Sequence, residues 1–210
     1  MEAGEAGESE AALDGADDGG DGYGVVRQEA DHFVELDECV AALRVMCAAA
    51  VADHGSGRPR SPGSGAARAV AAAAMRPEEV ESGKVEAILQ KYLEQPHLLD
   101  RHLEGLVALL MGACKSVLRL RERDGSSSAS FPFQVYSNGG LQLVFKALYQ
   151  LCTVRGRKSV VKHMPHEVSD LEPALQLLQS QDVKDFSTWE TRYCLLLWLS
   201  SACVCWRCRR

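Results

Sequence analysis

No stretch of this chain alternates apolar and polar residues for long enough to make a convincing strand, so a sheet-based fold has no support. Residues 1 to 26 contain no lysine or arginine, while they hold eight aspartates and glutamates. A secretory signal needs a basic start followed by an apolar run, and neither is present, so a cytoplasmic protein with reduced thiols is expected. The uncharged stretch Tyr193 to Trp206 contains Ser200 and Ser201 and is shorter than the roughly 18 apolar residues of a membrane span. It reads as a buried helix, with Trp189, Tyr193, Leu196 and Leu197 on the buried face. Nucleotide-hydrolase and serine-hydrolase signatures are also missing. SGKV (82 to 85) has Gly-Lys without the following Ser or Thr or the earlier glycine of a P-loop, and Gly-x-Ser-x-Gly does not occur. Nothing points to an enzyme, a cofactor or a metal.

What is present is helical patterning interrupted by biased segments. The chain has 210 residues and a formal net charge of -6, concentrated at its beginning. Residues 1–30 are acidic and rich in Gly and Ala, with too few large apolar groups to offset the entropy of ordering, and are expected to be a disordered tail. Asp31 to Ala52 reads as an isolated amphipathic helix with Phe33, Leu36, Val40, Leu43 and Cys47 at spacings of three and four. HGSGRPRSPGSG (54 to 65) lies in a flexible linker over 53–77, whose Ala66 to Met75 portion reads as weakly helical.

The helical-repeat region covers 78–206, followed by a tail at 207–210. Its first stripe is Val80, Val85, Ile88, Leu89 and Tyr92. The next runs through Leu99, Leu103, Leu106, Val107, Leu110, Cys114, Val117 and Leu118, up to the loop RDGSSSAS (123 to 130). A further helix carries Leu141, Val144, Phe145, Leu148 and Cys152 and stops at Arg155-Gly156, with glycine in the helix-stop position. Ser169 with Glu172, and Ser187 with Glu190, have capping-box spacing ahead of the last two helices, whose apolar positions begin with Ala174, Leu175 and Leu178 in the first of them.

In KYLEQPHLLDRHLE (91 to 104) one proline separates two good helices. Pro96 pushes Gln95 out of the α region yet is tolerated in the first turn of the following helix, so it marks a corner, as do Pro165 and Pro173. Amphipathic hairpins joined at such corners predict an all-α fold, stacked as an irregular HEAT/armadillo-like α-solenoid.

Few residues suggest chemistry. His97 and His102 are five apart, off a shared helix face, and Pro165 separates His163 from His166. Cys39, Cys47, Cys114, Cys152 and Cys194 sit at apolar helical positions, where a free cysteine packs as a small hydrophobe. CVCWRCRR (203 to 210) offers three thiols without a second ligand pair, short of a structural zinc site. VRGRK (154 to 158) is the densest basic cluster of the helical region. It fits either a solvated helix end or, with Arg155, Arg157 and Lys158 as candidate contacts, a patch for an acidic protein partner. No aromatics interleave with these residues in sequence, which disfavours nucleic acid.

KYLEQPHLLDRHLE, VRGRK, MPHEVSDLEPALQLL and WETRYCLLLWLS, in this order and spacing, resemble the N-terminal region of the tubulin-folding cofactor D family, from about Val85 to Ala202. The resemblance implies a large HEAT- and armadillo-like protein acting in the cytosol after chaperonin release. It also implies binding of β-tubulin, assembly of the α/β-tubulin heterodimer with other tubulin-folding cofactors, stimulation of tubulin GTP hydrolysis, and binding of an Arf-like small GTPase. Members are several-fold longer, so SSACVCWRCRR reads as the end of a truncated or variant form. The alternative is a generic helical-repeat scaffold with a non-tubulin partner.

Overall fold

The structure, a computed structural model, describes residues 32–55, 75–123, 139–181 and 184–207. The tail at 1–30, most of the 53–77 linker, the 123–130 loop beyond its first residue and the last three residues lie outside it. Helix α1 spans Leu36–Gly55 and carries Asp37 and Glu38 in its first turn, where carboxylates oppose the positive end of the helix dipole. Helix α2, Pro77–Lys91, begins with proline at its first position; the Glu79 carboxylate accepts the Arg76 backbone amide at 3.4 Å and the Arg76 Nε at 3.2 Å. Pro96 opens a 3-10 turn, Pro96–Leu99, that passes directly into α3, Asp100–Arg123. Gln95 is held at φ -128° and ψ 57°, outside the α region, as a residue before proline must be.

Helix α4, Gly139–Leu151, widens into a π turn, Cys152–Gly156, before the short α5, Arg157–Val161. A 3-10 turn, Val168–Asp170, leads into α6, Leu171–Gln179, and another, Phe186–Thr188, into α7, Trp189–Arg207. Among the described residues there is no strand. The chain is all-α, and its helical hairpins stack as an irregular armadillo-like solenoid.

Helix α1 is not isolated. It packs against α2, α3 and α4, and it extends to Gly55, past the expected boundary at Ala52. Its buried stripe is Cys39, Ala42, Leu43, Met46, Cys47 and Ala50, leaving Leu36 and Val40 at the rim. Residue 140 is glycine because α4 crosses α1 there: a Cβ on Gly140 would lie 2.7 Å from the Ala50 backbone. Helix α4 is the centre of the molecule, touching α1, α2, α3 and α7, and buries Leu141, Val144, Phe145, Ala147, Leu148 and Leu151. The α3 stripe is buried at every expected position from Leu99 to Leu118.

Three local expectations change. Val80 is exposed, since it lies off the side of α2 that buries Glu78, Ser82 and Val85. Neither serine caps as its spacing suggests. Ser169 lies inside a 3-10 turn, with no side-chain cap at Asp170. The cap before α7 is Asp185, whose carboxylate accepts the Ser187 amide at 2.9 Å and its hydroxyl at 2.7 Å. Finally, α7 buries Thr191, Cys194, Leu195, Trp198, Ser201 and Ala202, while Trp189 is 43% and Leu196 57% exposed. Of the face expected inside, Trp189 and Leu196 are turned outward while Tyr193 and Leu197 are half-buried against the core, because α7 has two apolar stripes and the one through Cys194 and Trp198 meets α4 and α6. Trp198 fixes that choice by donating its indole N–H to the Pro165 carbonyl at 2.9 Å.

Candidate functional site

The basic cluster 154 to 158 occupies the π turn and the start of α5. Gly156 sits at φ 94°, a conformation that side-chain-bearing residues rarely adopt, and this breaks the helical path between Arg155 and Arg157. On one side, Val154 enters the core and Arg155 reaches back to α3. The Arg155 guanidinium grips both Asp100 oxygens, Nε on Oδ1 and Nη2 on Oδ2, the latter at 2.6 Å. Such a fork is the strong, directional form of an ion pair. It holds the Asp100 carboxyl below its ordinary range, with His97 and His163 adding smaller positive contributions. Arg155 therefore ties the end of α4 to the Pro96 corner. On the other side of Gly156, Arg157 and Lys158 are exposed, as is Lys162 one turn beyond Lys158. Among the described residues none of these three cations is paired with a carboxylate.

An aromatic group borders Arg157. The Tyr149 ring of α4 meets Trp189 edge-on at 4.6 Å and Tyr193 at 5.4 Å, both on α7. Burial raises the Tyr193 pKa, and Arg157 stands close enough to oppose that rise. Trp189, Tyr193 and Leu196 follow at helical spacing on one side of α7, and Arg157 of α5 stands beside Tyr193. Sequence spacing alone leaves the basic residues and the aromatic stripe unconnected and predicts the stripe to be buried. One signal could have joined them: no Asp or Glu occurs between Asp124 and Glu167, a span holding Lys146, Arg155, Arg157, Lys158 and Lys162. Lys146 is matched by Glu86 at 3.0 Å and Arg155 by Asp100, each from an earlier helix.

Other charged groups stitch the stack together. Lys115 on α3 bridges Glu167 and Asp170, both at 2.9 Å, anchoring the turn before α6. Burial alone would depress the Lys115 pKa, but its bonds to the two carboxylates outweigh it and the net shift is upward. Glu35 accepts from the Tyr92 hydroxyl and from Lys91 at 2.9 Å, while the Val34 amide donates to the Tyr92 oxygen at 3.2 Å.

The five described cysteines are free and buried, as their spacing indicated. Burial pushes Cys39, Cys47 and Cys152 up to about 11, and Cys114 and Cys194 upward as well, so these thiols are protonated at neutral pH. Among the described residues no group of three or more His, Cys, Asp or Glu is placed to hold a metal ion. The side chains of the C-terminal cysteines lie outside the described residues. No described helix is long and apolar enough to cross a membrane.

Comparison with known proteins agrees with the fold. A family model described as Tubulin-specific chaperone D-like, ARM repeat, matches residues 89–205, from the end of α2 through most of α7. The Tubulin-specific chaperone D of Dictyostelium discoideum is 32% identical over 98 residues, which are 44% of this chain and 7% of that protein. The chain thus spans a small fraction of the length of that relative. No solved structure matches. With its matched region coinciding with the packed hairpins from the Pro96 corner to α7, the chain belongs to the tubulin-specific chaperone D-like ARM repeat family.

Proposed function

We propose that this chain is a tubulin-chaperone module that binds β-tubulin and supports assembly of the α/β-tubulin heterodimer after chaperonin release. It would act with other tubulin-folding cofactors in the cytoplasm. Stimulation of tubulin GTP hydrolysis and contact with an Arf-like small GTPase belong to the same reading. The chain works by binding, without an active site of its own. The observation that carries this is the family match across the whole of α3 to α6 and nearly all of α7, the larger part of one packed unit that α1 and α2 also join. Stacked helical hairpins hold partners on extended surfaces rather than in pockets. The exposed side of α7 and α5 is such a surface. The test is capture of purified β-tubulin, and separately of cytosolic small GTPases, on the immobilised full chain, with an unrelated helical-repeat protein as control. Retention of β-tubulin well above the control supports the reading; recovery equal to the control refutes it.

A further inference from the structure

We propose that the surface formed by Tyr149, Trp189, Tyr193 and Leu196, bordered by Arg157 and with Lys158 and Lys162 exposed close to Arg157 in the chain, is a docking surface for an acidic peptide segment of a partner protein that carries a large apolar side chain. This assigns a place and a partner chemistry, and it stands whether or not the partner is tubulin.

Charge is the first argument. The chain as a whole is acidic, yet residues 125 to 166 contain no carboxylate side chain. Carboxylates from other helices neutralise Lys146 and Arg155, and Lys115 on α3 is likewise engaged. Arg157, Lys158 and Lys162 remain as exposed positive charge with no ion-pair partner among the described residues. A glycine at φ 94° turns them away from the Arg155–Asp100 clamp. The rigid clamp on one side of Gly156 thereby fixes where the unpaired charges on the other side project.

Composition is the second argument. Interfaces are enriched in Trp, Tyr and Arg, because these present large contact area with few rotatable bonds. Here Trp189 and Tyr193 are already braced by Tyr149, so little ordering entropy is left to lose on binding. Trp189 and Leu196 project from a helix whose face through Cys194, Leu195 and Trp198 fills the core, so the core does not account for these two, while Tyr149 and Tyr193 are half-buried at its edge. Single-stranded nucleic acid fits less well. Three cations make a short electrostatic track, and these rings pack edge to face on one another instead of standing as open stacking platforms.

The test uses the full chain and a fluorescein-labelled synthetic peptide of roughly a dozen residues, mostly glutamate with one phenylalanine, read by anisotropy at low and moderate salt. Binding should weaken several-fold as salt rises, as screening of about three cations requires. Arg157→Glu with Lys158→Glu should weaken it at least about tenfold, and Trp189→Ala several-fold. Arg44→Glu with Lys84→Glu makes the same charge change on α1 and α2, both sites being exposed, and should leave affinity within about twofold. Circular dichroism confirms that each variant folds. Equal weakening by both double variants would reduce the effect to net charge and overturn the proposal. So would equal binding of the peptide with glutamine for glutamate, tighter binding of oligouridylate, or a self-association that buries Trp189 without peptide binding.

Discussion

Leu195 and Leu196 are adjacent in α7, with the same side chain and the same helix propensity, yet Leu195 is fully buried and Leu196 is 57% exposed. Replacing each by alanine therefore isolates burial. At Leu195 the change removes contacts to a closed core that includes Phe145 and Trp198, and the cavity can collapse only in part. Leucine-to-alanine changes at such sites cost about 2–5 kcal/mol. At Leu196 most of the removed surface is already in water, and the cost should fall within about 0.5 kcal/mol of zero. For a chain of this size a loss of about 3 kcal/mol at Leu195 lowers Tm by roughly 6–12 °C. Urea titration followed by circular dichroism gives the difference, and matching m-values establish that both variants unfold as the parent does. A cost at Leu196 equal to or above that at Leu195 would refute the orientation of α7, as would a cost below about 0.5 kcal/mol at Leu195.

The Lys115 bridge is intermediate between an exposed pair, worth under about 1 kcal/mol, and a fully buried one, whose breaking costs about 3–5; Lys115→Met should therefore cost about 2 kcal/mol. A double-mutant cycle with Asp170→Asn should return a coupling of that order, and additive effects would show the bridge to be idle. Tyr92 and Lys91 hold the Glu35 pKa below its ordinary 4.5, so this stability is present above pH 4.5 and lost as pH falls through the lowered value. Tyr92→Phe should accordingly cost stability at pH 7, and part of that cost should vanish by about pH 3; an identical cost at both values in urea titrations would remove Glu35 from the account. Iodoacetamide at pH 8, followed by peptide mass spectrometry, should leave Cys39, Cys47, Cys114, Cys152 and Cys194 unmodified in the native chain and modify them in urea. Native labelling of Cys114, deep under α1 and α7, would show that the core opens on the timescale of alkylation.

How much was legible in the sequence depends on how many apolar faces each helix carries. Helix α3 has one, and every residue read as its stripe is buried from Leu99 to Leu118. Helix α4 behaves in the same way. Helix α1 has apolar or small residues over much of its circumference, so periodicity located the helix but rotated the buried face by about one residue, toward Cys39, Met46 and Ala50. Helix α7 is the extreme case, with two stripes of similar strength, and only the neighbours decide between them. Those neighbours are distant in sequence: Phe145 against Cys194, and Pro165 bonded to Trp198. The caps failed for a related reason. A serine three residues before a glutamate satisfies a pattern, but Asp185 accepts the same amide as a stronger acceptor and moves the start of the turn. In the basic cluster, residue type was legible and partner was not, since nothing in VRGRK indicates that Asp100 waits for Arg155.

The same distinction separates scaffold from surface in this molecule. Three of the charges that join elements do so across a corner where the chain changes direction: Arg155 to the Pro96 turn, Lys115 to the turn before α6, Lys91 to the residue preceding α1. Pairs of that kind add modestly to stability but fix the angle at which one hairpin meets the next. Gly156 belongs to this set although it carries no charge. It ends α4 in a conformation other residues resist, and the clamp on Asp100 holds that end in place. Loosening the clamp should therefore act beyond Arg155 itself, by releasing the orientation of Arg157 and Lys158. Arg155→Lys keeps the charge but loses the two-pronged grip. It should cost less than about 1 kcal/mol of stability, as befits an exposed pair. It should still weaken binding of the acidic peptide by a clear factor without altering the net charge of the surface. If Arg155→Lys leaves peptide affinity unchanged while Arg157→Glu with Lys158→Glu abolishes it, the surface works by charge alone, and its fixed geometry has no part in recognition.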